Sequence, residues 1–468
     1  MLKLFVIFLN VFFVFFTEKP LTGEPSLSPR SVEQRNKWHI PTDELDYPVN
    51  TTYVDSLRHM GVTVFHTSRW FNGATCEMST AQATQVAQLG FVSTVEMTRD
   101  NSPYRFLPKR KMQHSAISVQ RSDNWTDEQL ALYNLLPIHQ AGFEGQGILM
   151  TVCDGGFYRA NTMSCFRRSQ ELGHFDFTDD TDDFYGSTGT HGTECLSVIS
   201  GIQDGFYGAA TQANYYLMRS EEDNRESPKE MDNLVAALEK ADSLGVNVFS
   251  VSLGYAMFDN YSWDLDKYTE LDGQSTRVSQ AASIAARKGM LVCVAAGNEG
   301  NDTWRTISAP ADADRILTIG AVTTDSIIGD FSSYGPSSDG RVKPEVCAVG
   351  VQTTLIYPNG TIVTSNGTSF ATPLLAGMAA SLWSALPDEN AMQIRERIIR
   401  SSHLYGHPDQ SNQMGYGIPD AWLAYTMNLE EGLNMEEWKA ESEKVLRNGQ
   451  IVIQRNGQSY TLTGQLIE

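Results

Sequence analysis

Four short segments join residue types that can do chemistry to turn residues that can hold them against a ligand. Asp154-Gly155-Gly156 closes an apolar run, and Gly189-Thr190-His191-Gly192-Thr193-Glu194 puts a histidine where a helix can start. Ala295-Ala296-Gly297-Asn298-Glu299-Gly300 closes a second apolar run, and Asn366-Gly367-Thr368-Ser369-Phe370-Ala371-Thr372-Pro373 sets a serine at the mouth of a buried helix. A serine hydroxyl is a poor nucleophile near neutral pH and needs a histidine within hydrogen-bond reach to take its proton. A buried carboxylate on the other ring nitrogen fixes the tautomer and stabilises the imidazolium. Asp154 would orient, His191 would act as base and then acid, and Ser369 would attack. Helix N–H groups and the positive end of the helix dipole favour an anion at Ser369. Asn298 can add a side-chain N–H to the same oxyanion.

Taken singly, each segment has an ordinary explanation. An aspartate before Gly-Gly is commonly a turn residue, His191 is one of nine histidines, Asn-Glu-Gly is a common turn, and Gly-Thr-Ser is a plausible helix start. What sets them apart is their joint occurrence, in the order Asp, His, Asn, Ser, each at an expected strand end or helix mouth.

The elements around them predict a parallel sheet. Ile148–Cys153, Asn214–Met218, Val246–Leu253, Leu291–Ala296 and Ile316–Val322 read as buried strands. Ser227-Pro228-Lys229-Glu230 opens a helix with cap, N1 proline and capping-box glutamate, and Gly245 ends it. Thr276–Lys288 reads as a second helix and Thr372–Ala385 as one apolar nearly all round. Repeated βα units imply an α/β fold, a doubly wound parallel sheet with helices on both faces and sites at the carboxyl ends of the strands.

Ahead of it, residues 37 to 98 predict a small α+β domain. Asn50 caps a helix to Met60, Val62–Phe71 is strand, and Asn72-Gly73 turns the chain back along Ala74–Met78. Ser79 and Gln82 cap a second helix, and Phe91–Met97 is strand again. With Trp38–Ile40 as first strand, the order is βαββαβ, a ferredoxin-like unit.

The chain has 468 residues, 41% hydrophobic and 19% charged, with net charge −21, which excludes wholesale disorder and argues against a nucleic-acid partner. Its six cysteines form no disulfide framework, and Cys153 and Cys293 sit in strands as small hydrophobes. Met1-Leu2-Lys3 followed by apolar Leu4–Phe16 reads as a secretory signal over residues 1–22, the chain's sole membrane contact. The expected domains are then 23–98, a basic linker over 99–125, 126–428, and a tail over 429–468. The linker carries Arg99, Arg105, Lys109, Arg110, Lys111 and Arg121 and is a place for a processing protease to cut. A tail hairpin is expected around Asn456-Gly457.

The motifs His191-Gly192-Thr193 and Gly367 to Pro373, in the order Asp, His, Ser, resemble those of the subtilisin-like serine proteases (subtilases). Further matches are Ser250 to Gly254, Ala295 to Gly300, Phe331-Ser332-Ser333-Tyr334-Gly335, Lys343-Pro344-Glu345-Val346 and Gly415-Tyr416-Gly417-Ile418. The resemblance implies a subtilisin-like fold, a triad of Asp154, His191 and Ser369, and Asn298 as oxyanion donor. It implies that Ser252, Leu253 and Gly254 pair with substrate backbone as an added strand, with Ala296 and Gly297 also in the binding cleft. Setting Pro310 against the family's proline puts Ser308 at the floor of the primary pocket. A small, uncharged floor suggests an apolar side chain before the scissile bond, with no aspartate to select Lys or Arg.

One departure is Gly155, where the family has Ser or Thr. The segment before the catalytic domain resembles the subtilase propeptide, which implies a zymogen whose partners are protein or peptide substrates and its own propeptide. Lys444 to Gln450 and Tyr460 to Gln465 are similar to the short end of type IX secretion sorting tails, though a plain hairpin accounts for them equally. No cofactor is expected. Calcium sites are common in the family, but Asp176, Asp179, Asp180, Asp182 and Asp183 fit no calcium-loop spacing.

The expected protein is a serine endopeptidase that is secreted, or held at the surface or in the periplasm, in a bacterium. Its rivals are an inactive binding protein on the same fold, permitted by Gly155, and an esterase. The G-x-S-x-G elbow of α/β-hydrolases is absent around Ser369.

Overall fold

The computed structural model describes residues 9–21, 23–100, 115–116, 124–178, 183–186, 189–222, 226–409, 411–429, 442–447, 450–455, 458–460 and 466–467, with backbone alone for 115–116 and from 442 onward. Seven parallel strands form the main sheet, in the order Val346–Val349, Leu317–Val322, Leu291–Ala295, Val248–Val251, Leu149–Asp154, Asn214–Arg219, Glu171–Asp176. Leu149–Asp154 comes first in sequence and lies inside the sheet, with later strands added on both sides of it. The strand order therefore reverses there, and its carboxyl end opens the crevice where parallel sheets carry their sites.

Side chains alternate across this sheet, and both faces are apolar. Met150 and Val152 join a core beneath the helices His191–Ser200 and Thr368–Ala385. Leu149 and Cys153 join the opposite core beneath Pro228–Leu244 and Arg277–Arg287. A strand buried on both faces reads as a continuous apolar run, so these strands were legible. The Pro228 helix carries the expected capping box at Ser227 and Glu230, and Gly245 ends it in the left-handed region (φ 73°). The edge strand Glu171–Asp176 alternates half-buried and exposed residues and gives no such signal.

The N-terminal domain is a four-stranded antiparallel sheet in the order Thr63–Ser68, Gly73–Ser79, Leu9–Phe16, Val92–Arg99, the arrangement of a split βαββαβ unit. Here the structure corrects the sequence reading twice. Leu9–Phe16, assigned to a signal segment, is the central strand, and Trp38–Ile40, taken as the first strand, follows the helix Pro29–Lys37. The cause is burial on both sides. Phe12, Val14 and Phe16 pack with Val54, Leu57 and Val86 of the domain's own helices. Phe13 and Phe15 on the other face lie 4.6 and 5.5 Å from the guanidinium of Arg277 in the larger domain. A strand covered on both faces has the composition of a short membrane-targeting run. Removing residues 1–22 would delete the middle of this sheet.

Among the described residues no helix is long and apolar enough to cross a membrane. In the tail, Ser442–Arg447, Gln450–Arg455, Gln458–Tyr460 and Leu466–Ile467 form an antiparallel sheet. Arg455 pairs with Gln458 on either side of the expected turn, whose residues 456 and 457 lie outside the described set. Most of the expected cutting region, 101–114 and 117–123, also lies outside it.

Candidate active site

Asp154 ends the strand Leu149–Asp154 with its side chain 1% exposed, and His191 opens the helix His191–Ser200. The imidazole Nδ1 lies 2.8 and 2.9 Å from the two carboxylate oxygens. The helix approaches closely enough because residue 192 is glycine. A Cβ there would stand 2.5 Å from the Gly156 carbonyl oxygen and 2.8 Å from the Asp154 Cβ. Burial alone would lower the His191 pKa, but the Asp154 carboxylate, with a further contribution from Cys195, outweighs this and holds it well above 6.5. Gly155 does not leave the carboxylate loose, since its own backbone N–H donates to Asp154 Oδ1 at 2.8 Å.

Ser369 occupies the first turn of Thr368–Ala385 and is 5% exposed. That helix begins at Thr368, four residues before the expected start, with Pro373 inside it. The Ser369 hydroxyl donates to the Ser252 carbonyl oxygen at 3.4 Å rather than to His191. Ser252 in turn donates its hydroxyl to the Ser369 carbonyl oxygen at 2.8 Å. The His191 ring lies 5.7 Å from the ring of Phe370, the next residue. Catalytic hydrogen bonds of this kind commonly form only once substrate is bound, and rotation about one serine bond redirects the hydroxyl.

Sequence reasoning missed two residues here. Cys195 lies one helical turn after His191, with its sulfur 3.9 Å from His191 Nε2 and 3.3 Å from the Ser369 carbonyl oxygen. Its i, i+4 spacing from the histidine was a readable signal. Burial raises its pKa, which keeps the thiol protonated and poorly nucleophilic. Thr368 donates its backbone N–H (2.9 Å) and hydroxyl (3.1 Å) to Asn298 Oδ1. That fixes which end of the Asn298 amide can donate to an oxyanion.

A cavity of about 370 Å³ adjoins these groups, lined by Ser369, Asn298, Ser252, Leu253, Gly254, Gly297 and Ser308 among others. Ala296, expected to bind substrate, is instead fully buried in the core, and Ala295 lines the cavity. The alternation of side chains along a strand sends neighbours to opposite faces. Three carboxylate residues, Glu226, Glu299 and Asp302, also line it, where the sequence reading placed no charge.

Of the expected acidic cluster, Asp176 accepts from Thr178 and pairs with Arg219, while Asp183 accepts from the Tyr185 N–H. Asp179, Asp180 and Asp182 lie outside the described residues. The group of metal-capable side chains found among the described residues is Asp154, His191 and Cys195.

Residues 145–417 match a family model described as the subtilase family, and residues 11–116 match one described as the peptidase S8 propeptide domain of Bacteroidota. Among similar curated proteins, subtilisin DY of Bacillus licheniformis is 28% identical over 58% of this chain and 88% of its own length. Serine protease AprX of Bacillus subtilis (strain 168) is 28% identical over 59% of this chain and 66% of its own. Among solved structures, MycP1 from Mycobacterium smegmatis superposes with a TM-score of 0.54 at 24% identity, covering 69% of this chain and 90% of that one, a likeness of fold. The family model spans more than half of the sequence and the residues just described: the chain belongs to the subtilase family of serine peptidases, with an S8 propeptide domain ahead of its catalytic domain.

Proposed function

We propose that the protein is an endopeptidase made as a zymogen, acting through Asp154, His191 and Ser369 by way of an acyl-enzyme. Ser369 Oγ attacks the scissile carbonyl carbon as its proton passes to His191 Nε2. The negative oxygen that develops is held by the Ser369 backbone N–H and the Asn298 side chain. Collapse breaks the C–N bond, and the leaving amine takes the proton from Nε2. Water then hydrolyses the ester by the same steps in reverse order. Asp154 keeps the ring oriented and balances its charge. The observation that carries this reading is the buried Asp154–His191 contact at 2.8 Å, on the helix that packs against the helix bearing Ser369. Substrate backbone would add as a strand along Ser252, Leu253 and Gly254.

Purified matured protein should hydrolyse casein faster than a short-chain ester, whereas a binding protein would hydrolyse neither and an esterase would prefer the ester. Asn298→Ala should lower kcat by roughly 10²–10³, the loss that follows removal of the oxyanion asparagine in subtilisin, and an unchanged kcat would remove it from that role. Because the His191 pKa is raised and the neutral ring is the base, kcat/KM should climb with pH through a midpoint above 6.5. Asp154→Asn should shift that limb to lower pH and cut kcat by about 10⁴. A pH–rate profile with its limb unmoved would contradict this. We also propose that the peptidase works outside the cytoplasm of a bacterial cell, which fractionation of the host with an antibody would test. The match to a Bacteroidota propeptide supports this source.

A further inference from the structure

The residues lining the cavity beside Ser369 include three carboxylates, Glu226, Glu299 and Asp302, and no Lys, Arg or His. Glu299 is already engaged in holding the site together, since its Oε2 accepts from the Asn298 N–H at 2.7 Å and from the Ser333 hydroxyl at 3.1 Å. Asp302 is fixed differently. Its Oδ1 accepts the Trp304 N–H at 2.7 Å, a short turn that holds the carboxylate while leaving Oδ2 out of the turn.

Among the described residues no cation forms an ion pair with Asp302. Lys267 Nζ donates to the carbonyls of Thr303 and Trp304, and Arg305 Nε donates to the Asp302 carbonyl. Leu253, Ala256 and Met257 supply apolar lining. Apolar walls with carboxylates suit a side chain that has a methylene stem and a cationic head.

We propose that this pocket selects lysine or arginine in the residue before the scissile bond, with Asp302 as the selecting carboxylate and Glu226 supporting it. The inference rests on the peptidase reading above and supplies its substrate class. It replaces the apolar preference suggested by Ser308, which considered the floor and not the walls. The chain itself holds a matching sequence. Arg105, Lys109, Arg110 and Lys111 lie near the end of the propeptide match and Arg121 just beyond it, so the expected maturation region is rich in the side chains such a pocket would accept. Arg99 is excluded from that set because it is buried and paired with Glu222 at 3.1 Å.

The test uses matured protein and fluorogenic peptides that differ only in the residue before the scissile bond, with Lys, Arg, Leu or Phe at that place. The wild type should favour Lys and Arg over Leu and Phe by about 10² in kcat/KM. Asp302→Asn should lower the Lys-to-Leu ratio by about 10-fold, Glu226→Gln with Asp302→Asn should abolish most of it, and Asp302→Glu should retain it. A structural role alone would lower all four peptides together and leave the ratio unmoved. A wild type that prefers Leu or Phe, or a ratio unchanged in the double variant, overturns the proposal. Failure of the peptidase reading is distinguishable, because then no peptide is cut and no fluorophosphonate adduct forms.

Discussion

Ser369→Ala should reduce peptide hydrolysis by about 10⁶-fold and leave the chain at precursor size. The magnitude is the one established for the triad serine of subtilisin, a member of this family. The physical reason is that alanine removes the nucleophile while leaving its surroundings intact. Ser369 is nearly buried at a helix N-terminus, and its backbone carbonyl still accepts from Ser252 and Cys195. Folding should therefore be preserved, and the loss should be kinetic. Adding His191→Ala to this variant should cost little more, since base and nucleophile act as one unit. Measuring kcat for the single and double variants, with gel mobility of the expressed chain, checks both statements. A mature-size product from Ser369→Ala expressed without any other protease would contradict self-processing.

The second large effect lies at the seam between the propeptide domain and the catalytic domain. Asp242, on the Pro228–Leu244 helix, accepts from Arg35 at 2.7 Å and from Arg69 at 2.5 Å, both contributed by the propeptide domain. Arg35 also pairs with Asp46 at 2.7 Å, and Lys288 meets Asp43 and Asp46 at 2.7 and 3.0 Å. Next to them Glu239 accepts the N–H groups of Arg69 and Trp70. These groups are nearly all buried, so removing one partner leaves charge without compensation in a low-dielectric seam. Asp242→Ala takes the shared carboxylate from two arginines at once, leaving Arg35 only Asp46 and Arg69 without its ion-pair partner. In the uncut Ser369→Ala background it should destabilise the precursor by about 3–5 kcal/mol.

The matured catalytic domain should respond differently. Once the propeptide domain has left, Asp242 loses its cationic partners and faces water, where its replacement should change stability by no more than about 0.5 kcal/mol. Denaturant unfolding of both forms tests the contrast. Equal destabilisation in the two would show that Asp242 serves the catalytic domain's own fold and not the seam.

How much of this was readable in sequence depends on how local the cause is. Asp154, His191 and Ser369 were legible as candidates because each stands at the end of a regular element with a glycine one or two residues away, a pattern carried by adjacent residues. The caps at Asn50, Ser79 and Ser227 were legible for the same reason, each being a side chain bonding a backbone N–H two or three residues on. The central propeptide strand was misread because its composition reflects burial against Arg277, more than 260 residues away, which no local window contains. The acid lining of the pocket was hidden likewise, since Glu226 and Asp302 are distant in sequence and line one cavity only in the folded chain. The Ser369 helix was expected from Thr372 but starts at Thr368 and runs through Pro373, with Thr368 to Pro373 all buried.

The most direct test of the account is to treat the matured protein with a fluorophosphonate and map the adduct by mass spectrometry. The expected result is one adduct per chain, on Ser369, formed faster as pH rises through the His191 titration and absent in Ser369→Ala. An adduct on any other residue, or none on a protein that still cleaves casein, would contradict a reaction centred on Asp154, His191 and Ser369.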